Sequence, residues 1–270
     1  MIWPSLDEKK RQILADENVI IIMGRGHSGT RIMTRICEKL GINLGATDEL
    51  KSGDCASLYF TRTIKKVAIH DIDCNLTNSR KTWLQNRFNR SAYKYFHNLK
   101  PEGMWGWKFP ETYLIGPYVR KTFPKARYIH LLRDGRDLAF KNHLTDDPNR
   151  KLGKVLLDHI NALDDPHHLQ AAASWAYQVS AWDTFANDLP ENSVLDLRFE
   201  DLVNDPWPEI EKIASFLKIP ITQECRDFVS EEIDTSKAAQ HRENPPEKIK
   251  EVIKEIGPVL EDQGYLEENR

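Results

Sequence analysis

The sequence predicts an α/β fold with three layers, a central parallel sheet and a P-loop-like strand–loop–helix near its start. Three observations lead there. "NVIIIM", ending at Met23, is an unbroken apolar, β-branched run of the kind a strand shows when both of its faces are buried. Two further apolar runs, "ARYIHLL" (126–132) and "SVLDLRF" (193–199), are separated from it and from each other by helical stretches, as parallel strands with crossover helices require. The glycine-rich turn "GRGHSGT" joins the first strand to a helix start.

In chain order, Ser5-x-x-Glu8 resembles a capping box and predicts a short helix over 6–15. The first strand follows. "GTRIMTRICEKLG" then sets Ile32, Met33, Ile36 and Leu40 on one helical face, and Gly41 supplies a C-terminal stop. Residues 45–80 are polar and carry no assignable period, whereas 80–98 reads as a helix. "MWGWKF" (104–109) is a short strand closed by Pro110, with Trp105 and Trp107 expected in the core. The strand 126–132 runs into the charged turn "RDGRD" and a helix, and His130 is expected as a hydrogen-bonded core residue. The span 143–168, punctuated by Asp-Pro pairs, reads as a mobile excursion. A helix over 168–187, the strand 193–199, and the helical stretches "PEIEKIASFL" and "PPEKIKEVIKEIGPVLEDQG" complete the chain.

Bulk properties bound the function. The 270 residues, 40% of them hydrophobic, are expected to form a single domain over 1–270. A net charge of −3 gives no field to recruit nucleic acid, so an anionic ligand must be met by local cations. The scattered Cys37, Cys55, Cys74 and Cys225 match no metal-site spacing and read as reduced thiols of a cytoplasmic protein. The N-terminus lacks a secretory signal pattern, and no apolar run is long enough for a transmembrane segment. Oligomeric state is not encoded in any readable pattern.

The glycine-rich turn admits three readings. A strand, a glycine turn and a helix N-terminus form an anion site, because first-turn N–H groups lack intrahelical acceptors and the helix dipole is positive there. A nucleoside-triphosphate loop needs Lys then Ser/Thr after its last glycine, but Thr30 and Arg31 follow Gly29. Gly24-x-Gly26-x-x-Gly29 matches a dinucleotide fingerprint, with Glu49 placed 20 residues on for a ribose, which implies an NAD-dependent oxidoreductase. Such turns rarely need cations, whereas Arg25, His27 and Arg31 crowd this one.

The third reading comes from a resemblance. "GRGHSGTR" resembles the first signature of the sulfotransferase family, bacterial-type members included, with His27 where many members carry Lys or Arg. "KARYIHLLRDGRD" resembles the second, with Arg133, Arg136 and Asp137 in place and Lys141 where the family usually has Ser. "MWGWKFPET", "SVLDLRFEDLVNDPWPEIEKIASFLKI" and "IGPVLEDQGY" resemble further family stretches, in order, so the likeness spans roughly 18–265.

The resemblance implies transfer of a sulfuryl group from 3′-phosphoadenosine-5′-phosphosulfate (PAPS) to a hydroxyl or amine of a small molecule or glycan, without a metal. It assigns the 5′-phosphosulfate to Arg25, Gly26, His27, Ser28, Gly29, Thr30 and Arg31, with Lys108 beside it. Arg133 and Lys141 are assigned to the 3′-phosphate, and Arg242 is a further cation that could reach it. For the catalytic base it points to the acidic stretch after the first helix, Asp54 first and Glu49 next, with His70 as another candidate and His143 placed to line the site. A non-catalytic nucleotide-binding protein with a degraded site is the remaining alternative, suggested by His27 and Lys141.

Overall fold

The computed structural model describes residues 5–48, 52–72, 76–233 and 237–266. In chain order its elements are α1 (Glu8–Asp16), β1 (Val19–Met23), α2 (Thr30–Lys39), α3 (Leu58–Ile72), α4 (Asn78–Leu99), β2 (Trp105–Lys108), a 3₁₀ turn (Pro110–Leu114) and α5 (Gly116–Thr122). They continue with β3 (Arg127–Leu132), α6 (Gly135–Leu138), α7 (Lys151–His159), α8 (His167–Ala186), β4 (Val194–Arg198), α9 (Phe199–Asn204), α10 (Pro206–Leu217) and α11 (Gln223–Glu232). A second 3₁₀ turn (Gln240–Glu243) and α12 (Pro246–Asp262) end the described chain.

The four strands form one parallel sheet in the order β2-β1-β3-β4. Side chains alternate across a strand, so the unbroken run of β1 feeds two cores. Val19, Ile21 and Met23 pack with Trp105, Trp107 and the buried faces of α3 and α4. Ile20 and Ile22 pack on the opposite face with Ile129, Leu131 and the buried faces of α2, α10 and α11. A third cluster joins α6, α8 and α12 through Leu138, Trp175 and Ile256. The predicted three-layer α/β arrangement is therefore observed. Both tryptophans of β2 are in the core, and Gly106 between them is required, since a Cβ there would lie 1.8 Å from the Ile20 carbonyl oxygen.

Three local expectations change. Asp7, not Ser5, caps α1, its carboxylate accepting from Lys10 N at 2.9 Å. The polar stretch after α2 contains α3, whose buried face includes Thr61 and Thr63 beside Phe60, Ile64 and Val67 and so masks the apolar period. The expected excursion 143–168 contains α7, which buries Leu152, Leu156 and Leu157. Its Asp-Pro pairs are turn chemistry at the ends of helices, with Asp147 accepting from Asn149 N at 2.9 Å and Pro166 at the N-cap of α8.

The strand order positions the site. The chain leaves β1 for β2 on one side, then crosses to β3 on the other, so the connections diverge between β1 and β3. In open parallel sheets that divergence, at the C-terminal strand ends, is where ligands bind. The register pairs Ile22 with Lys108, Met23 with His130, and Leu132 with Arg198. The turn at Gly24–Gly29, Lys108, Arg133 and Phe199 thus emerge along a single edge.

Candidate active site

At that edge lies a cavity of about 470 Å³. The turn after β1 contributes Gly26, His27 and Gly29, α2 contributes Thr30 and Arg31, and β2 contributes Lys108. Arg133 and Phe199, the residues after β3 and β4, close one side, while Ser52, Asp54 and His143 close the other. Four cations, Arg31, Lys108, Arg133 and Lys237, face one carboxylate, Asp54, so the cavity suits an anion.

Two glycines of the turn are demanded by close approach. Gly29 caps α2 at φ 86°, and a Cβ there would lie 2.2 Å from the Phe199 ring. A Cβ at Gly26 would lie 2.2 Å from the His143 ring. Across Phe199 stands Arg133, its guanidinium carbon 4.3 Å from the ring centroid. Arg133 also ties three segments together. Its Nε and Nη2 donate to Asp137 Oδ2 at 3.2 and 2.9 Å, Nη1 donates to the His27 carbonyl at 3.1 Å, and Nη2 reaches the Lys237 carbonyl at 2.8 Å. The two cationic turns therefore converge. Although burial disfavours the Asp137 carboxylate, hydrogen bonds from His241 and then Arg133 hold its pKa down to about 2.

On the other side, Lys108 is 2% exposed and donates to the Ser52 carbonyl at 2.6 Å and to Asp54 Oδ1. Burial lowers its pKa and the Asp54 carboxylate works against that fall, so Asp54 favours the charged ammonium. Three residues further along the chain, Glu111 is 1% exposed, its Oε2 has no hydrogen-bond partner among the described residues, and burial pushes its carboxyl up to about 7.

This last group yields a stability prediction. The folded state holds the Glu111 proton up to about pH 7, whereas the unfolded chain releases it near 4.5. Stability must therefore fall as pH rises through that window, by on the order of 3 kcal/mol from this group alone. Glu111→Gln is expected to remove that slope and to be more stable than wild type at pH 8 in urea unfolding. An unchanged slope between pH 5 and 7 would refute it.

Not every residue expected in the site faces it. Arg25 is 1% exposed and turned inward, pairing with Asp146 at 2.7 Å, so it braces the turn from behind and does not line the cavity. Ser28 is buried beneath the turn, closing it through Ser28 N to Arg25 O at 3.1 Å. His27 lines the cavity at φ 70°, but its Nε2 donates to the Asn142 carbonyl at 2.8 Å, and burial lowers its pKa. Its Nε2–H is thus committed to the Asn142 carbonyl, and the ring does not stand in for a lysine ammonium. Lys141 is half-buried and Arg242 is exposed, and neither lines the cavity. The cation that does come from the C-terminal side is Lys237, which the sequence reading missed. His70 lies at the last turn of α3, away from the cavity, with Arg80 Nη2 3.4 Å from its Nδ1. Glu49 lies outside the described residues. His130 is the expected core residue, held between the Tyr113 hydroxyl and Asp196, each at 2.7 Å. Among the described residues no cluster of metal-ligating side chains occurs, and no helix is long and apolar enough to cross a membrane.

Fold and cavity together define an α/β protein with a cation-lined cavity at the β1/β3 divergence. Comparison with known proteins names the class. The model of the sulfotransferase family described as Sulfotransfer_3 matches residues 20–223, and the chain belongs to that family. Two Caenorhabditis elegans proteins are similar to part of the chain. A putative protein-tyrosine sulfotransferase is 25% identical over 47% of this chain and 46% of its own length. Protein-tyrosine sulfotransferase A is 24% identical over 57% of this chain and 39% of its own. The chain thus spans less than half the length of the curated relatives it matches. The sulfotransferase domain of the Synechococcus PCC 7002 olefin synthase has the same fold, with a TM-score of 0.54 at 17% identity over 93% of this chain and 97% of that one. Mouse sulfotransferase SULT7A1, solved with PAP, gives a TM-score of 0.53 at 14% identity over 96% and 90%.

Proposed function

We propose that this protein moves a sulfuryl group from PAPS to a hydroxyl or amine. The acceptor oxygen or nitrogen forms its bond to sulfur as the bond from sulfur to the 5′-phosphate oxygen breaks, and 3′-phosphoadenosine-5′-phosphate (PAP) leaves. The observation that carries this reading is the convergence of two cationic turns through the contact of Arg133 Nη1 with the His27 carbonyl, 3.1 Å. A nucleotide with phosphates on the 3′ and 5′ positions of one ribose can meet both turns at once, and the PAP-bound mouse neighbour supports that choice of nucleotide.

In this reading the glycine turn and the N-terminus of α2 take the 5′-phosphosulfate, with Thr30 and Arg31 facing it. Lys108 meets charge that develops at sulfur and its oxygens. Arg133 takes the 3′-phosphate, aided by Lys237. Asp54 has two duties: it holds Lys108 charged, and as the carboxylate of the cavity it receives the acceptor's proton. The two worm relatives make tyrosine one acceptor to test alongside carbohydrates and small alcohols.

Calorimetry with PAP, NAD and ATP tests the class. PAP alone is expected to bind tightly, and sulfur-35 transfer from labelled PAPS across an acceptor panel then finds the substrate. Binding of NAD in place of PAP would overturn the proposal.

A further inference from the structure

His143 stands opposite the glycine turn, and a backbone N–H beside it points to the ring nitrogen that lacks the proton. Thr145 N, a donor that cannot reverse, points at His143 Nδ1 from 3.4 Å. The Thr145 hydroxyl lies nearer, 2.8 Å from the same nitrogen. A hydrogen on Nδ1 would oppose the backbone N–H, so Nδ1 is the acceptor and the proton sits on Nε2. The single hydroxyl hydrogen of Thr145 has two acceptors in reach, His143 Nδ1 at 2.8 Å and Asp146 Oδ1 at 3.2 Å; with the backbone N–H committed to Nδ1 it goes to the nearer nitrogen, and Asp146 keeps Arg25 at 2.7 Å and His143 N at 3.2 Å. Nε2 belongs to the ring edge that lies against Gly26, where a Cβ would come within 2.3 Å of it. It has no protein partner among the described residues, and the ring lines the cavity.

Resting on the sulfuryl-transfer reading, we propose that His143 is a catalytic hydrogen-bond donor, its Nε2–H directed at the oxygen that gains charge as the sulfur–oxygen bond breaks. The cavity gives this donor a task. His27, at the position where a cation was expected, has spent its own Nε2–H on the Asn142 carbonyl.

The protonation state follows from what surrounds the ring. Burial and the charges of Arg25, His27, Lys65 and Lys108, contributed by the turn, α3 and β2, all disfavour imidazolium, so its pKa lies well below the ordinary histidine value. Asp146, behind Thr145, is the opposing charge. It is bound to Arg25, with His167 3.9 Å away. A neutral N–H suits the role. Its bond to oxygen strengthens as charge develops, and it does not surrender a proton to the leaving phosphate. No net proton moves at His143 in the cycle.

The experiment compares His143→Ala with His143→Gln. Turnover is read as sulfur-35 sulfate released from PAPS with water as acceptor, and PAP affinity by calorimetry. A glutamine amide keeps a donor and cannot act as a base. Loss of an oxyanion donor costs ~10²–10³-fold, so His143→Ala is expected to fall that far while His143→Gln stays within about tenfold of wild type. Neither is expected to lose PAP binding. Equal inactivity of both variants would overturn the proposal in favour of a base. Histidine-selective nitrogen-15 spectra of the unliganded protein give an independent reading, assigned by the missing signal in His143→Gln. The Nε2–H tautomer is expected at pH 7, and Nδ1–H overturns the proposal even if wild type fails to bind PAP, the result that would sink the parent reading.

Discussion

Arg133→Ala is expected to weaken PAP binding by about 10²-fold, the loss of one charge-assisted phosphate contact. The geometry explains why this residue dominates. Its fork holds Asp137 with two nitrogens, and Nη1 gives one of its two hydrogens to the His27 carbonyl. No described acceptor takes the other Nη1 hydrogen, which is the one left for a phosphate. The Phe199 ring beneath it excludes water from one face and fixes its plane.

Removing Arg133 also strips Asp137 of a partner in a buried pair, a change worth ~3–5 kcal/mol of stability. Affinity must therefore be separated from folding. Arg133→Lys keeps a charge but loses the planar fork, and it is expected to retain more of the fold while binding PAP about tenfold more weakly. A folded Arg133→Ala protein, judged by its circular dichroism and melting transition, that binds PAP as wild type does would remove Arg133 from the site. It would also remove the main support for a bisphosphate across the two turns.

The parts of this site that were legible in the sequence are those fixed by strand ends. β1 and β3 announce themselves as apolar runs because both faces of each are buried, and the residues just beyond them, Gly24–Gly29 and Arg133, must then share an edge. Lys108 was legible for the same reason, as the last residue of a strand closed by Pro110.

What sequence could not supply was side-chain direction within a turn. Arg25 and Arg31 flank the same glycines, but Arg25 turns inward because Asp146, 121 positions away, offers it a buried partner. That pairing depends on how the 143–168 segment folds, and its Asp-Pro pairs disguised α7. Lys237 was hidden differently. It reaches the cavity from a segment without apolar period, whose placement rests on the hydrogen bonds that Arg133 donates to Lys237 O and that His241 N donates to Asp137. A glutamine at 240 and a histidine at 241 carry no motif. The only signal was a lysine shortly before the last long helix.

Asp54→Asn is the second large effect, and its pH dependence separates the two duties assigned to this carboxylate. As the proton acceptor, Asp54 accounts for ~10²–10⁴-fold in transfer rate, and the amide abolishes that function at every pH. As the partner of Lys108 it sets where the lysine loses its charge. Burial lowers the Lys108 pKa and Asp54 is the largest influence raising it, so Asp54→Asn must lower it further. The alkaline limb of the transfer rate is therefore expected to move to lower pH in Asp54→Asn, because the neutral amine no longer stabilises charge at sulfur. Lys108→Ala serves as the reference: it is expected to lose ~10²–10³-fold in rate and to show no alkaline limb from this group. The profiles, measured with PAPS and the acceptor found in the screen, distinguish the possibilities. A reduced rate with an unshifted alkaline limb would leave Asp54 as base alone. A shifted limb with a nearly wild-type rate at neutral pH would leave it as the keeper of Lys108 alone, and the proton would have to go elsewhere. Only both changes together satisfy a geometry in which one carboxylate touches the buried ammonium and lines the cavity as well.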